Sequence, residues 1–160
     1  MPRKYAGSLL ARNKSRQRGF NAERELARIL WRHGFAVVRG PASGARTRKL
    51  FYPDLIAIYK GKIFVIEVKY RSTPRSAIYI NREKTDKLID FAKRAGGKVV
   101  IAVKIPNNGW FIVELNKVKY TSDGSIKIDS QVLKEAPRLE DFINTVINVS
   151  LEDFIKAMRT

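Results

Sequence analysis

The sequence predicts a single α/β domain in which a mixed central β-sheet is flanked by helices. The chain has 160 residues, which is a usual size for one domain. Helical and strand patterns follow in the order helix, three strands, helix, strands. One strand pattern, Lys98 to Ile105, is a nearly unbroken apolar run. Such a run is typical of a strand in the middle of a sheet that helices cover on both faces.

The first 18 residues are predicted to form a flexible basic arm before a single folded domain at 19–160. Residues 1–22 contain no acid and six cations, namely Arg3, Lys4, Arg12, Lys14, Arg16 and Arg18. An arm of this kind can follow a nucleic-acid backbone. A mitochondrial presequence has a similar composition, but the Gly and Asn positions break a clean amphipathic helix, which favours the arm.

The first helix is predicted to run from a cap at Asn21 to about His33, with Gly34 ending it in the left-handed conformation. Its core-facing positions recur at helical spacing: Ala22, Leu26, Ile29, Leu30 and His33. Glu23 lies among these apolar positions, whereas Glu25 lies near the solvent edge. A lone histidine in a last helical turn favours a structural role, so His33 is assigned no chemistry.

Three strands are predicted next, at Phe35 to Arg39, Asp54 to Tyr59 and Lys62 to Tyr70. The loop after the first strand begins with Gly40-Pro41-Ala42-Ser43-Gly44, whose glycines and proline disfavour regular structure. The same loop is strongly basic through Arg46, Arg48 and Lys49. Gly61 supplies a turn between the second and third strands, which are expected to pair as a hairpin.

The second half of the chain is predicted to place a helix between further strands. A short strand at Ala77 to Ile80 precedes a helix from Asn81 to Ala95, which Gly96-Gly97 ends. The long apolar strand then leads through a turn into a strand at Trp110 to Leu115. A smaller hairpin is expected within residues 118–128.

A short repetition marks the carboxyl-terminal region. Leu139-Glu140-Asp141-Phe142-Ile143 recurs as Leu151-Glu152-Asp153-Phe154-Ile155. Pro137 suits the first turn of the first segment, and Ser150 with Asp153 suits a capping pair on the second. Two short amphipathic helices are therefore predicted. Their expected role is to cover the core or a dimer interface, which is favoured over a dedicated partner motif.

The charge indicates a polyanionic partner. Thirty-two Lys and Arg against fifteen Asp and Glu leave a net charge of +17. Such a charge favours binding to a phosphate polymer, because binding releases the counterions of the polymer. A basic surface that serves only solubility and an anionic membrane surface are the weaker alternatives. The absence of cysteine excludes disulfides, thiolate metal sites and cysteine nucleophiles.

The hydropathy pattern excludes a transmembrane protein. The longest apolar runs, Leu55 to Tyr59 and Val99 to Val103, are far below the roughly 18 residues of a membrane-spanning helix. With no targeting signal identified, a cytoplasmic protein that acts with the chromosome and has no membrane partner is expected.

The predicted hairpin brings two carboxylates together. If Lys60 and Gly61 form a two-residue turn, Asp54 lies directly opposite Glu67, whereas a longer turn would shift this register. Lys69 lies on the same sheet face as Glu67. Opposed carboxylates repel each other unless a cation or a proton lies between them. A structural salt bridge of Lys69 is the alternative, but the second acid at matching register favours a metal site.

Oxygen ligands without cysteine or a histidine cluster select Mg²⁺ over zinc, and Mn²⁺ is expected to substitute. Glu23 is a third candidate ligand. A glutamate among apolar helix positions either reaches outward to solvent or has a buried positive partner. In this setting a ligand role for Glu23 is at least as well supported.

Pro53-Asp54 followed by Glu67-Val68-Lys69 is the Pro-Asp, spacer, acid-x-Lys pattern of PD-(D/E)xK nucleases. Further motifs are Gly19-Phe20-Asn21-Ala22-Glu23-Arg24-Glu25, Gly34-Phe35-Ala36-Val37-Val38-Arg39, Pro41-Ala42-Ser43-Gly44, Pro53-Asp54-Leu55-Ile56-Ala57, Tyr79-Ile80-Asn81-Arg82-Glu83, Phe91-Ala92-Lys93-Arg94-Ala95-Gly96-Gly97 and Leu139-Glu140-Asp141. With these motifs the chain resembles the archaeal Holliday-junction resolvases over nearly everything from Gly19 to about Glu140. The arm at 1–18 is longer than in that family, so its role is not inherited.

The resemblance implies a restriction-endonuclease-like core and a set of site residues. It implies that Glu23, Asp54 and Glu67 are the metal ligands and that Lys69 stabilises the transition state. It also implies that Ser43 is an active-site serine on a mobile loop, although a serine in this context is most often a turn residue.

Together with the charge, the resemblance implies an endonuclease that resolves four-way DNA junctions in recombination and repair by Mg²⁺-dependent hydrolysis. It implies a two-fold homodimer, with replication or repair proteins as further candidate partners. The residues expected to bind DNA phosphates are Arg39, Arg46, Arg48, Lys49, Arg71, Arg75 and Arg82. One alternative is a nuclease of the same fold that acts on flaps or duplex. Another is a non-catalytic nucleic-acid-binding protein.

Overall fold

The computed structural model describes residues 3–41, 50–73 and 75–158. Its helices are α1 (Arg3–Arg32), α2 (Arg82–Ala95), α3 (Ser130–Glu135) and α4 (Leu139–Met158), with a 3₁₀ turn at Leu115–Lys117. Its strands are β1 (Ala36–Arg39), β2 (Leu55–Tyr59), β3 (Lys62–Tyr70), β4 (Ile78–Ile80), β5 (Lys98–Ile105), β6 (Gly109–Glu114), β7 (Lys119–Tyr120) and β8 (Ile126–Ile128). Among the described residues, no helix combines the length and the apolar character needed to cross a membrane.

The larger sheet is mixed, as predicted. In the part of the chain that the structure describes, its strand order is β1-β2-β3-β5-β6, and a smaller sheet has the order β4-β8-β7. Strands β3 and β5 are parallel, and the other neighbours in the larger sheet are antiparallel. Parallel strands need a crossover connection, and α2 provides it here. The beginning of α2 therefore lies at the carboxyl end of β3.

The core lies on both faces of β5, because alternate side chains of a strand point to opposite faces. Val100 and Ala102 pack in one cluster with α1 and α4. Ile101 and Val103 pack in a second cluster with the smaller sheet and α3. The start of the same strand, at Val99, packs against α2. The predicted burial of this strand on both faces is confirmed, but the smaller sheet covers part of the second face, where only helices were predicted.

The β2–β3 hairpin has the predicted register. Tyr59 pairs with Lys62, and Leu55 pairs with Ile66. Lys60 and Gly61 have φ angles of 45° and 81°, as a two-residue type I′ turn requires. A turn of this type keeps the right-handed twist of the two strands, which explains why Lys60 tolerates a positive φ.

The prediction that the first helix begins at Asn21 is wrong. Helix α1 begins at Arg3, so residues of the predicted arm form the first half of the same helix. Residues 3–18 are rich in Ala, Leu, Arg, Lys and Gln, whose helix propensities outweigh the single glycine and asparagine there. The expectation that residues 1–18 act as a separate, flexible unit stays a prediction. Gly34 ends the helix as predicted, with a φ of 87°.

His33 was predicted to face the core, and the structure shows it exposed instead. Its ring Nδ1 donates a hydrogen bond to the carbonyl oxygen of Ile29 at 2.8 Å. This bond satisfies a carbonyl at the end of the helix, which agrees with the structural role assigned to the residue. The helical positions before it, Ala22, Leu26 and Leu30, are buried as predicted.

The prediction of two short carboxyl-terminal helices is also wrong. A single helix, α4, runs from Leu139 to Met158 and contains both copies of the repeated segment. Residues 144–150 contain no Gly or Pro, and buried Val146 continues the apolar face between the two copies. Helix α3 was not predicted. Asp129 caps it by accepting hydrogen bonds from the backbone amides of Gln131 and Val132.

Candidate active site

A completely buried carboxylate lies at the centre of the candidate site. Glu67 is on β3, between β2 and β5, and has no exposed surface. Its Oε1 accepts a hydrogen bond from Lys84 Nζ at 2.6 Å and lies 2.8 Å from Lys69 Nζ. Its Oε2 is buried and has no hydrogen-bond partner among the residues that the structure describes. Because an unpartnered buried carboxylate oxygen is costly, this atom marks a place for a positively charged ligand.

Asp54 lies next to Glu67, as the predicted hairpin register requires. Its Oδ2 accepts a hydrogen bond from the backbone amide of Val68 at 2.8 Å. Burial, and then the charge of Glu67, raise the pKa of Asp54 from 3.8 to about 6, although Lys84 and the Val68 amide act in the opposite direction. The structure thus places two carboxylates close together, which is unfavourable because of their desolvation and their mutual repulsion.

Sequence reasoning missed Lys84, whose ammonium lies within this cluster. Asn81 caps α2 and accepts a hydrogen bond from the Lys84 amide at 2.8 Å, which places Lys84 in the first turn of the helix. Burial acts to lower the pKa of Lys84, but the charges of Glu67 and Asp54 outweigh it and raise the pKa. The available signal was the predicted cap at Asn81. In a crossover helix, first-turn side chains lie at the sheet end where the preceding strand finishes.

Glu23 approaches the cluster from α1, but its side chain pairs with Arg39 at 3.3 Å. Its charge acts on both Asp54 and Lys84, so it is close to them. Within the described ranges, however, no three His, Cys, Asp or Glu side chains are grouped closely enough to hold a metal ion as placed. The structure therefore brings together Asp54 and Glu67, and Glu23 stays a predicted third ligand that would have to leave Arg39.

Four of the predicted DNA-binding residues lie within the described ranges, and of these Arg39 is linked to the site through its pair with Glu23. Arg39 ends β1, Arg71 follows β3, and Arg82 begins α2. Arg71 donates to the Tyr70 carbonyl oxygen at 3.0 Å, and Arg82 pairs with Asp86 at 3.5 Å. Arg75 is exposed. Four predicted site residues lie outside the described residues: Ser43, Arg46, Arg48 and Lys49.

The second glutamate of the α1 motif, Glu25, belongs to a different cluster. Its Oε1 accepts hydrogen bonds from Lys104 Nζ at 2.6 Å and from Trp110 Nε1 at 3.0 Å. Partial burial acts to raise the pKa of Glu25, but these two hydrogen bonds outweigh it and lower the pKa. Its side chain lies at the solvent edge, as predicted, with 44% of its surface exposed. It nevertheless ties α1 to β5 and β6, which the sequence did not indicate.

A mixed sheet flanked by helices that presents Asp54, Glu67 and Lys69 together defines a nuclease of the restriction-endonuclease-like class. The comparisons with known proteins agree. The family model described as archaeal Holliday junction resolvase (Hjc) matches residues 14–151. The chain therefore belongs to the archaeal Holliday junction resolvase family.

Individual relatives span most of the chain. The crossover junction endodeoxyribonuclease Hjc of Sulfurisphaera tokodaii is 37% identical over 146 residues, which cover 89% of this chain and 99% of the relative. The Hjc of Methanocaldococcus jannaschii is 38% identical over 115 residues, covering 69% of this chain and 80% of the relative. The solved structure of Archaeoglobus fulgidus Hjc, a Holliday junction resolvase, is similar with a TM-score of 0.67. It is 26% identical and covers 79% of this chain and 96% of that one.

Proposed function

We propose that this protein is a structure-specific DNA endonuclease that resolves four-way junctions by metal-dependent hydrolysis of phosphodiesters. The observation that carries the proposal is half-buried Asp54 and buried Glu67 together beside Lys69, in a chain of net charge +17. Within the described ranges, Glu67 Oε2 has no hydrogen-bond partner. Two acids at the centre of a basic DNA-binding surface would repel phosphate unless a cation lay between them. Membership of the resolvase family and the names of its relatives support the junction as the substrate.

The donor set fits Mg²⁺ or Mn²⁺, because the available ligands are hard carboxylate oxygens and one of them is buried with no partner among the described residues. Asp54 and Glu67 would hold the ion, and Glu23 would join them after leaving Arg39. When bound, the ion supplies a Lewis acid and lowers the pKa of water.

The side chains of this protein have separate tasks in that reaction. The Val68 amide fixes Asp54 by its hydrogen bond to Oδ2. Lys69 holds its ammonium beside Glu67 with 23% of its side chain exposed, so a phosphate can approach it. A cation held in this way stabilises the negative charge that develops on phosphate oxygens. Ser43 is proposed to act on the same phosphate from the loop after β1.

The assembly is proposed to be a two-fold homodimer, because one site cuts one strand and a resolved junction needs two cuts. Exposed apolar side chains on three elements support an interface. They are Trp31 on α1, Val38 on β1, which is an edge strand, and Val149, Leu151, Ile155 and Met158 at the end of α4. Leu139, in contrast, is buried in the core of the subunit and is not available to a partner.

Light scattering at micromolar concentration tests the dimer. The wild type is expected to have twice the mass of the 18.3 kDa chain. Leu151→Arg and Val38→Arg should identify the interface, since only a substitution within it would produce a monomer. A monomer that resolved junctions by paired, nearly simultaneous cuts would contradict this assembly.

Cleavage of a synthetic four-way junction tests the function. The junction is compared with a duplex and a flap of the same sequence, each with Mg²⁺ and with EDTA. Paired cuts in the junction alone, with Mg²⁺ only, are expected. Equal cutting of flap or duplex would favour another nuclease activity of the same fold. Binding without any cutting would favour a non-catalytic DNA-binding protein.

A further inference from the structure

Lys84 gives the candidate active site a second lysine outside the Pro-Asp and acid-x-Lys pattern. Its Nζ lies 2.6 Å from Glu67 Oε1, and Lys69 Nζ lies 2.8 Å from the same atom. Both ammonium groups therefore converge on one carboxylate oxygen, while Glu67 Oε2 has no hydrogen-bond partner in the described part of the chain. Lys84 therefore supplies this carboxylate with a second cation, from a different element of the fold than Lys69.

The backbone of Lys84 is fixed, whereas its side chain can reach solvent. Its amide donates to Asn81 Oδ1, and the neighbouring Thr85 is buried and donates its hydroxyl to the Asn81 carbonyl oxygen at 3.0 Å. About a third of the side chain is exposed, at 36%. Because four torsions separate Cα from Nζ, the ammonium can turn from Glu67 towards a ligand at the surface without any movement of α2.

The charges of the cluster explain what such a movement would achieve. The negative charges of Asp54 and Glu67 are balanced by the positive charges of Lys69 and Lys84, so the cluster is neutral as placed. A divalent cation on the carboxylates competes with Lys84 for Glu67. Once that cation is bound, both lysines add to a positive site that attracts a phosphodiester.

We propose that Lys84 is the counter-ion of Glu67 in the resting protein and contacts the phosphate at the cut site when DNA is bound. The inference rests on the proposed metal-dependent nuclease function. It assigns Lys84 a role that differs from that of Lys69, which remains beside Glu67 on the same strand.

This role predicts effects of opposite sign on two measurements. Removing Lys84 removes the competitor of the cation, so Mg²⁺ should bind the DNA-free protein several-fold more tightly. Removing Lys84 also removes a phosphate contact, so cutting at saturating Mg²⁺ and saturating junction should fall by roughly 100-fold. A lysine that merely held Glu67 in place would, when removed, weaken both metal binding and cutting.

The experiment uses the whole chain with Lys84→Ala, Lys84→Gln and Lys84→Arg. Lys87→Ala is the matched control, because Lys87 is on the same helix and pairs only with exposed Glu83 in the described contacts. Calorimetric titration with Mg²⁺ in the absence of DNA gives the metal affinity, and single-turnover cutting of a four-way junction gives the rate. Lys84→Arg should retain most of the rate because it retains the charge. Lys87→Ala should match the wild type in both measurements.

Tighter Mg²⁺ binding with slower cutting in Lys84→Ala or Lys84→Gln supports the proposal. Weaker Mg²⁺ binding, unchanged cutting, or loss of the fold in both variants by circular dichroism overturns it. The same two measurements on the wild type distinguish a failure of the Lys84 proposal from a failure of the proposed function. A wild type that neither binds Mg²⁺ nor cuts a junction would reject the function itself.

Discussion

Two clusters of this molecule each bring a glutamate and a lysine to 2.6 Å, yet their surroundings are opposite. Glu25 pairs with Lys104 and Trp110 at the solvent edge, with no second acid in those contacts. Glu67 is completely buried, faces two lysines through one oxygen, and has Asp54 beside it.

A short ion pair does not by itself distinguish a structural cluster from a functional one. The Glu25 carboxylate is stabilised where it lies, since its pKa is lowered by the bonds from Lys104 and Trp110 despite partial burial. At the other cluster, burial and the Glu67 charge raise the pKa of Asp54 to about 6. Perturbation of this kind is typical of a site that is completed by a ligand.

The largest expected effect is on cutting, when the two acids of the candidate metal site are neutralised. Glu67→Gln and Asp54→Asn should reduce junction cleavage by roughly 1000-fold or more, because each removes a charge that holds the metal. Junction binding, measured in Ca²⁺ by gel shift, should remain close to that of the wild type. Glu25→Gln is the control and should cut normally. Mg²⁺-dependent cutting by Glu67→Gln at near the wild-type rate would contradict the site.

The two glutamates of α1 give a second contrast of smaller size. Glu23→Gln should lower the cleavage rate by roughly 10-fold to 100-fold, because Glu23 lies near Asp54 and Lys84. Glu25→Gln should instead lower the free energy of unfolding by no more than about 1 kcal/mol, since the pair is largely solvated. Kinetics and urea denaturation measure the two effects. Equal, small effects of both variants on cleavage would remove Glu23 from the site.

The pKa of Asp54 predicts a pH dependence of stability in the metal-free protein. A raised pKa means that the folded state binds this proton more tightly than the unfolded chain, whose value is 3.8. The free energy of unfolding should therefore fall as the pH rises from 3.8 to about 6. In Asp54→Asn, the free energy of unfolding should fall by roughly 1–3 kcal/mol less over this pH range than in the wild type.

Urea denaturation in EDTA at pH 4 and at pH 7 measures this difference. Asp90→Asn is the control, because Asp90 is exposed and pairs with Arg94 on the surface of α2. Identical pH dependence in the wild type and in Asp54→Asn would show that Asp54 does not titrate in this window.

The smallest effect concerns the basic first half of α1. Arg12 and Arg16 are exposed and share the helix face of Glu23, about 17 Å and about 10 Å from it along the axis. Lys14 and Arg28 are exposed on the opposite side. Cations on the Glu23 face are expected to contact phosphates of a DNA arm that enters the site.

Arg12→Ala with Arg16→Ala should lower the slope of log affinity against log salt by about 1 for each lost phosphate contact. Lys14→Ala with Arg28→Ala removes the same charge and should leave that slope nearly unchanged. Junction binding by fluorescence anisotropy at several salt concentrations measures both pairs. Equal slopes for the two double variants would show that α1 acts only through its net charge.

Local pattern was sufficient to predict the hairpin and its acids. The two-residue turn at Lys60 and Gly61 determines the register of β2 and β3, and with it the approach of Asp54 to Glu67. Strand β5 was predicted because burial on both faces leaves a continuous apolar run. These features depend on residues that are close together in the sequence, so one sequence is enough to predict them.

Contacts between distant segments could not be predicted in the same way. Lys84 meets Glu67 only because α2 crosses from β3 to the parallel β5, and no local pattern indicates which first-turn side chain reaches the strand. Glu25 likewise meets Lys104 through the packing of α1 on the sheet. The start of α1 was missed for another reason, since a glycine and an asparagine were read as helix breakers against a strong helical background.

A titration of the DNA-free protein with Mg²⁺ tests most directly the claim that the two glutamate clusters differ in kind. Calorimetry on the wild type, Glu67→Gln and Glu25→Gln separates metal binding from every later step of the reaction. We expect Glu25→Gln to bind Mg²⁺ as the wild type does and Glu67→Gln to lose the binding. Equal Mg²⁺ affinity in Glu67→Gln and the wild type would contradict it, because the buried carboxylate would then have no metal to hold.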